Sequence, residues 1–185
     1  TFLHDFAKVD AYKDAIAVKY PAIIMSISQM SETVFILAIP FMLKKFGIKK
    51  VMLFSMFAWV LRFGLFAYGN PAEGLWMIVL SCIIYGLAFD FFNISGSLFV
   101  DSQCDSKIRA SAQGLFMMMT NGFGALLGSS VSGVVIDKFY TLSDGSKDWH
   151  GIWIAFSIYS LVVAVAFGLL FRHKHDPKAL EVIQH

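Results

Sequence analysis

Long apolar stretches separated by short clusters of charge fill residues 21–172 of this 185-residue chain. The first, residues 21–43, is about 34 Å long as a helix and ends on Lys44, Lys45, Lys49 and Lys50. A second covers 51–69 and stops at the turn pair Asn70-Pro71, and a third covers 75–100 before the polar stretch 101–107. The fourth, 110–136, and the fifth, 152–171, complete the set. Each is long enough to cross the hydrocarbon core of a bilayer; the third and fourth, about 38 Å each, tilt or protrude. The pattern predicts an all-α, polytopic membrane helix bundle of about five transmembrane helices. That bundle is one body over 21–172, with a leading loop or helix end at 1–20 and a tail at 173–185.

Composition supports that class: 57% of residues are hydrophobic, 16% aromatic and only 15% charged, and mean hydropathy is +0.67, which leaves no polar shell for a soluble domain. The net charge of +2 is too small and dispersed for nucleic acid. Sorted by loop, the basic residues fall at alternate ends of the spans: Lys44 to Lys50, then Lys107 and Arg109, then Arg172, Lys174 and Lys178. This asymmetry marks one side as cytoplasmic, with the carboxyl terminus inside and residues 1–20 on the extracytoplasmic side. Residues 1–20 mix Asp5, Asp10 and Asp14 with Lys8, Lys13 and Lys19, unlike a signal peptide, and the missing initiator Met suggests a piece of a longer protein. Cys82, inside a span, and Cys104, in a cytoplasmic loop, are expected as free thiols.

Three ionisable residues lie within the spans, where each costs several kcal/mol unless it faces protein or water. Glu32 lies about 17 Å along the first span, with Gln29 and Ser28 on its face. On the third span Gly86, Asp90, Asn93 and Ser97 follow helical spacing, beside an aromatic stripe of Tyr85, Phe89 and Phe92. An aromatic wall next to hydrogen-bonding groups suits a flat, polar ligand, while core packing or lipid contact is the alternative for any one Phe. Arg62, in the second span, carries a fixed charge that predicts a buried ion pair or gating contact with Glu32, Asp90 or a group elsewhere. Glu32 and Asp90, whose charge a proton can remove, are candidate proton carriers; an interhelical polar clamp is the alternative. On the fourth span Gln113, Thr120 and Asn121 accompany Gly124 and Gly128, a GxxxG spacing that suggests close helix contact, and the uncharged fifth span suggests a peripheral position. No HExxH, GxSxG or CxxC motif is present and every His falls outside the spans, so the chain reads as neither enzyme nor metal protein, with no cofactor.

The segments SISQMSE (26–32), AFDFFNISGS (88–97), IRASAQG (108–114) and MTNGFG (119–124) together closely resemble the bacterial nucleoside:proton symporter family, nucleoside permease G type, of the major facilitator superfamily. The resemblance implies a twelve-helix carrier whose two six-helix halves rock about a central site, with these spans as helices eight to twelve and the amino-terminal half and seventh helix outside this sequence. It implies that Gln29 and Glu32 bind polar groups of a nucleoside and that Tyr85 and Phe89 contact its base or sugar. Asn93, on the Asp90 stripe, joins the substrate-binding set, and Asp90, with Glu32, takes part in proton coupling. The partners implied are nucleoside, proton, membrane lipid and the missing half, in a bacterial inner membrane. Proton symport of nucleosides is the leading reading; a non-transporting membrane sensor or assembly subunit with a transporter-like fold is the alternative.

Overall fold

The computed structural model describes residues 2–173; the expected tail beyond them, with Lys174 and Lys178, lies outside the described residues. Short helical turns, α1 (Phe2–Asp5) and α2 (Ile16–Lys19), lead into four helical stretches long and apolar enough to cross a membrane. These are α3 (Pro21–Tyr68), α4 (Leu75–Gln103), a composite stretch Arg109–Phe139, and α7 (Trp149–Leu170). The composite consists of α5 (Arg109–Met117), a π-helical segment Met118–Gly124, and α6 (Ala125–Phe139).

At 48 residues α3 would be about 72 Å long if straight, over twice the hydrocarbon thickness. It is broken at Gly47, where φ is 76° and ψ 164°, a conformation that glycine reaches without steric cost. The contacts of the two limbs, residues 21–46 and 48–68, give their directions. In the first limb the Ser31 hydroxyl donates to the Ile83 carbonyl and Phe35 meets Phe91 at 6.1 Å, so this limb runs parallel to α4. In the second, Ser55 Oγ donates to Ala88 O at 2.6 Å and an Arg62 guanidinium N–H to Ser81 O at 2.9 Å, so it runs antiparallel to α4. The chain therefore reverses at Gly47, and the fold makes five crossings. The polar linker expected between the first two spans shrinks to one glycine, and Lys44, Lys45, Lys49 and Lys50 are helical.

Ser157 Oγ donates to Val60 O at 2.9 Å and Lys49 Nζ to Gly168 O at 2.9 Å, which sets α7 antiparallel to the second limb. Gln113 bonds Ser97, and a side chain at Gly96 would strike the Phe116 ring, which sets α5 antiparallel to α4. One end of the bundle carries the Gly47 reversal and the α4–α5 link; it is called the lysine end below. The other, the loop end, carries residues 2–19, where Leu3 and Ala17 are buried with Ile24, Phe66, Ile78 and Cys82. Asn70 Oδ1 accepts from the amides of Ala72 and Gly74 at 3.0 Å each, which closes the turn there, and Asp148 caps α7 by accepting from the Gly151 amide.

Lipid tails are as apolar as leucine, so these seams rest on packing, small residues and interhelical hydrogen bonds. Serines do this at three places on α3 and α7, as the bonds above show. The close helix contact expected for the GxxxG spacing of the fourth span is not made among the described residues: a Cβ at Gly128 would meet nothing within 4 Å. Gly124, Gly128 and Ser132 instead line an open groove of about 460 Å³ against Ala155, Phe156 and Tyr159 of α7. Cys82 and Cys104 are free thiols.

Candidate functional site

Gly86 is what brings the two carboxylate-bearing helices together. A Cβ there would stand 2.7 Å from the Glu32 amide nitrogen and 2.8 Å from Ser31 O, so the first limb rests directly on the backbone of α4. Asp90 follows one turn later on α4, on the same face as Gly86. Asp90 is 8% exposed, and its Oδ2 has no hydrogen-bond partner among the described residues. Ser28 and Ser95, also buried, hold unpartnered hydroxyls on the same two helices. Buried polar atoms are ordinarily paired, so an orphan carboxylate oxygen about 22 Å along α4, near its midpoint, sets Asp90 apart from the other polar groups of the α3–α4 seam.

Tyr85 and Phe89 stack at 5.6 Å with an interplanar angle of 19°, and Phe89 remains partly exposed, so the aromatic wall read from the sequence is formed by these two. Phe92 departs from it and lines a separate groove with Met56, Trp59 and Tyr159. Asn93 Nδ2 donates to Phe89 O at 3.0 Å, one turn beyond Asp90. Gln29 is exposed and Glu32 half-buried on the first limb, Glu32 at the Gly86 contact and Gln29 one turn before it.

Arg62 is buried at 7% exposure, and the ion pair offered for it with Glu32 or Asp90 is not formed: among the described residues no carboxylate lies within 4.0 Å of its guanidinium. One N–H donates to Ser81 O, while the guanidinium carbon lies 4.4 Å from the Tyr85 ring centre, 5.0 Å from Phe66 and 5.7 Å from Trp59. Aromatic faces carry partial negative charge and attract a cation without a formal counter-ion. The physical reason for the correction is therefore a cage of rings, of which the sequence reading named only Tyr85. Trp59 and Phe66 stand at i−3 and i+4 from Arg62, a spacing that could have disclosed them.

At the lysine end, Gln113 does more than occupy a polar position. Its Nε2 donates to Ser97 O at 2.7 Å and to Asp101 Oδ1 at 2.6 Å, and its Oε1 accepts from Ser97 Oγ at 2.9 Å, fastening α5 to α4. Arg109 Nε approaches the same Asp101 oxygen at 3.9 Å. Thr120 Oγ1 bonds back to Phe116 O at 2.8 Å inside the π-helical segment, a habit of threonine that bends helices.

Antiparallel membrane-crossing helices around buried ionisable groups define a polytopic membrane protein with a polar site inside its bundle. Residues 1–176 match the family described as nucleoside H+ symporter, and the chain belongs to that family. It is 57% identical over 181 residues to the xanthosine permease of Escherichia coli, covering 97% of this chain and 43% of that protein. To the nucleoside permease NupG of Escherichia coli it is 53% identical over 188 residues, covering 100% of this chain and 44% of that protein. A crystal structure of the nucleoside transporter NupG superimposes with a TM-score of 0.86 at 53% identity, covering 94% of this chain and 42% of that one. The chain thus spans less than half the length of these relatives, which are permeases and not enzymes.

Proposed function

We propose that this chain is the carboxy-terminal part, helices eight to twelve, of a carrier that takes up purine and pyrimidine nucleosides by proton symport across a bacterial inner membrane. The observation that carries the reading is Asp90: buried, with an unpartnered carboxylate oxygen, one helical turn from the backbone contact that presents Glu32. Gln29, Glu32 and Asn93 supply polar contacts to the nucleoside, and Tyr85 with Phe89 supplies a stacking wall for its base. Glu32 and Asp90 take part in proton coupling, Asp90 being the more deeply buried of the two carboxylates. A proton arriving from outside favours the nucleoside-loaded state, and its release inside returns the empty carrier. The clustering of Lys44, Lys45, Lys49, Lys50, Lys107 and Arg109 at the lysine end supports a cytoplasmic carboxyl terminus.

The upstream half supplies the remainder of the substrate path, so the test uses the full-length protein. Uridine uptake into energised vesicles is expected to lose accumulation against a gradient in Glu32→Gln and in Asp90→Asn, and to collapse with an uncoupler. Uncoupler-resistant uptake, or full accumulation in both variants, overturns the proposal in favour of a non-coupled or non-transporting role.

A further inference from the structure

We propose that Arg62 is a positioning residue: its guanidinium, laid on the Tyr85 ring, holds that ring behind Phe89 and so fixes the aromatic wall that the nucleoside meets. This rests on the reading above that Tyr85 and Phe89 contact the nucleoside.

Arg62 sits about 21 Å into the second limb, where a cation that cannot shed its charge costs several kcal/mol unless compensated. Of its three rings, Trp59 and Phe66 come from its own helix, whereas Tyr85 comes from α4 and is the nearest at 4.4 Å. The guanidinium plane is held by its bond to Ser81 O, and Ser81 Oγ returns a bond to Arg62 O at 3.2 Å. Ser81 and Tyr85 are four residues apart on α4, so Arg62 grips one face of that helix at two successive turns. Tyr85 is thereby closed on one side by the guanidinium and by the edge-on Trp59 ring at 5.9 Å, and on another by stacked Phe89. A ring confined before the ligand arrives loses no rotamer freedom on binding, so the confinement appears as affinity. Lysine, a point charge without a plane, supplies the charge but not the stacked surface.

The test is a double-mutant cycle in the full-length carrier, with Kd for uridine and inosine measured by calorimetry and Tm measured beside it. Tyr85→Leu is expected to weaken binding about tenfold, and Arg62→Met about three- to tenfold, on the order of one cation–π contact. Because Arg62 acts through Tyr85, the double variant should bind no more weakly than Tyr85→Leu alone, and Arg62→Lys should fall between wild type and Arg62→Met. Gln113→Leu, which unfastens α5 from α4 away from the wall, should lower Tm without moving either Kd. Wild-type affinity in Arg62→Met, or a double variant that loses the product of both effects, overturns the proposal and leaves Arg62 a structural fastening. If Arg62→Met does not fold, Arg62→Lys enters the cycle in its place with the same two outcomes. Wild-type binding in Tyr85→Leu overturns instead the reading of the wall, and with it the role given to Arg62.

Discussion

Replacing Gly86 by alanine puts one carbon where the backbone of the first limb already stands. The new Cβ would lie 2.7 Å from Glu32 N and from Ser31 C and 2.8 Å from Ser31 O, against ordinary contacts of 3.4 Å or more. All three obstructing atoms are main chain, so no side chain can turn aside. The two helices must part by about 0.7 Å, and overpacking of that kind costs about 1–3 kcal/mol. On the proposed function, the same displacement moves Glu32 away from Asp90, so coupled accumulation of uridine in the full-length carrier should fall together with Tm. Gly86→Val should be worse than Gly86→Ala, and Gly168→Ala, whose Cβ would meet Leu53 at an ordinary 3.6 Å, should lower neither measurement. A Tm and an uptake in Gly86→Ala as high as in Gly168→Ala would refute the claim that the α3–α4 seam needs the absent side chain.

Gly47→Ala forces a Cβ into a φ of 76° and ψ of 164° at the reversal between the limbs, which should cost about 1–3 kcal/mol and register as a lowered Tm of the full-length protein. Gln113→Leu keeps the size of the side chain but removes three hydrogen bonds, leaving Asp101 with Arg109 at 3.9 Å; a loss of about 1–3 kcal/mol is expected in urea titration, and no loss would show that α5 needs no fastening to α4.

The spans were legible because a bilayer leaves a chain few choices: backbone groups must pair internally, so apolar runs of sufficient length become helices. Their ends were less so. Lys44 to Lys50 reads as a loop, yet helix continues through all of it except Gly47, because one glycine with positive φ suffices to turn the chain. Burial cost alone singled out Glu32, Arg62 and Asp90, and all three do lie at the α3–α4 seam. Their partners were not readable in the same way. That Gly86 meets Ser31 and Glu32, or that Tyr85 rather than a carboxylate meets Arg62, depends on the register between helices, which no single helix encodes. The π-helical segment Met118–Gly124 escaped notice because its residues suit an ordinary helix equally well. Phe92 was placed with Tyr85 and Phe89 by spacing, but a stripe drawn over two turns is wide enough to face two different neighbours.

The buried charges at the seam fall into two kinds, and the difference follows from their acid–base chemistry. An arginine stays charged in every state of the protein, so its compensation has to be permanent, and here it is built from aromatic ring faces and a main-chain carbonyl, none of which carries a formal charge. A carboxylate can be neutralised by one proton, so its burial can be tolerated without a fixed partner in the protonated state. Asp90, with an oxygen left unpartnered, is of that second kind. An arginine paired to Asp90 would hold the carboxylate ionised and abolish its capacity to exchange a proton. On the proposed reading, then, the aromatic cage serves both functions of the site: it keeps the Arg62 charge off the proton-carrying carboxylates, and it spends that charge on the ring the nucleoside meets.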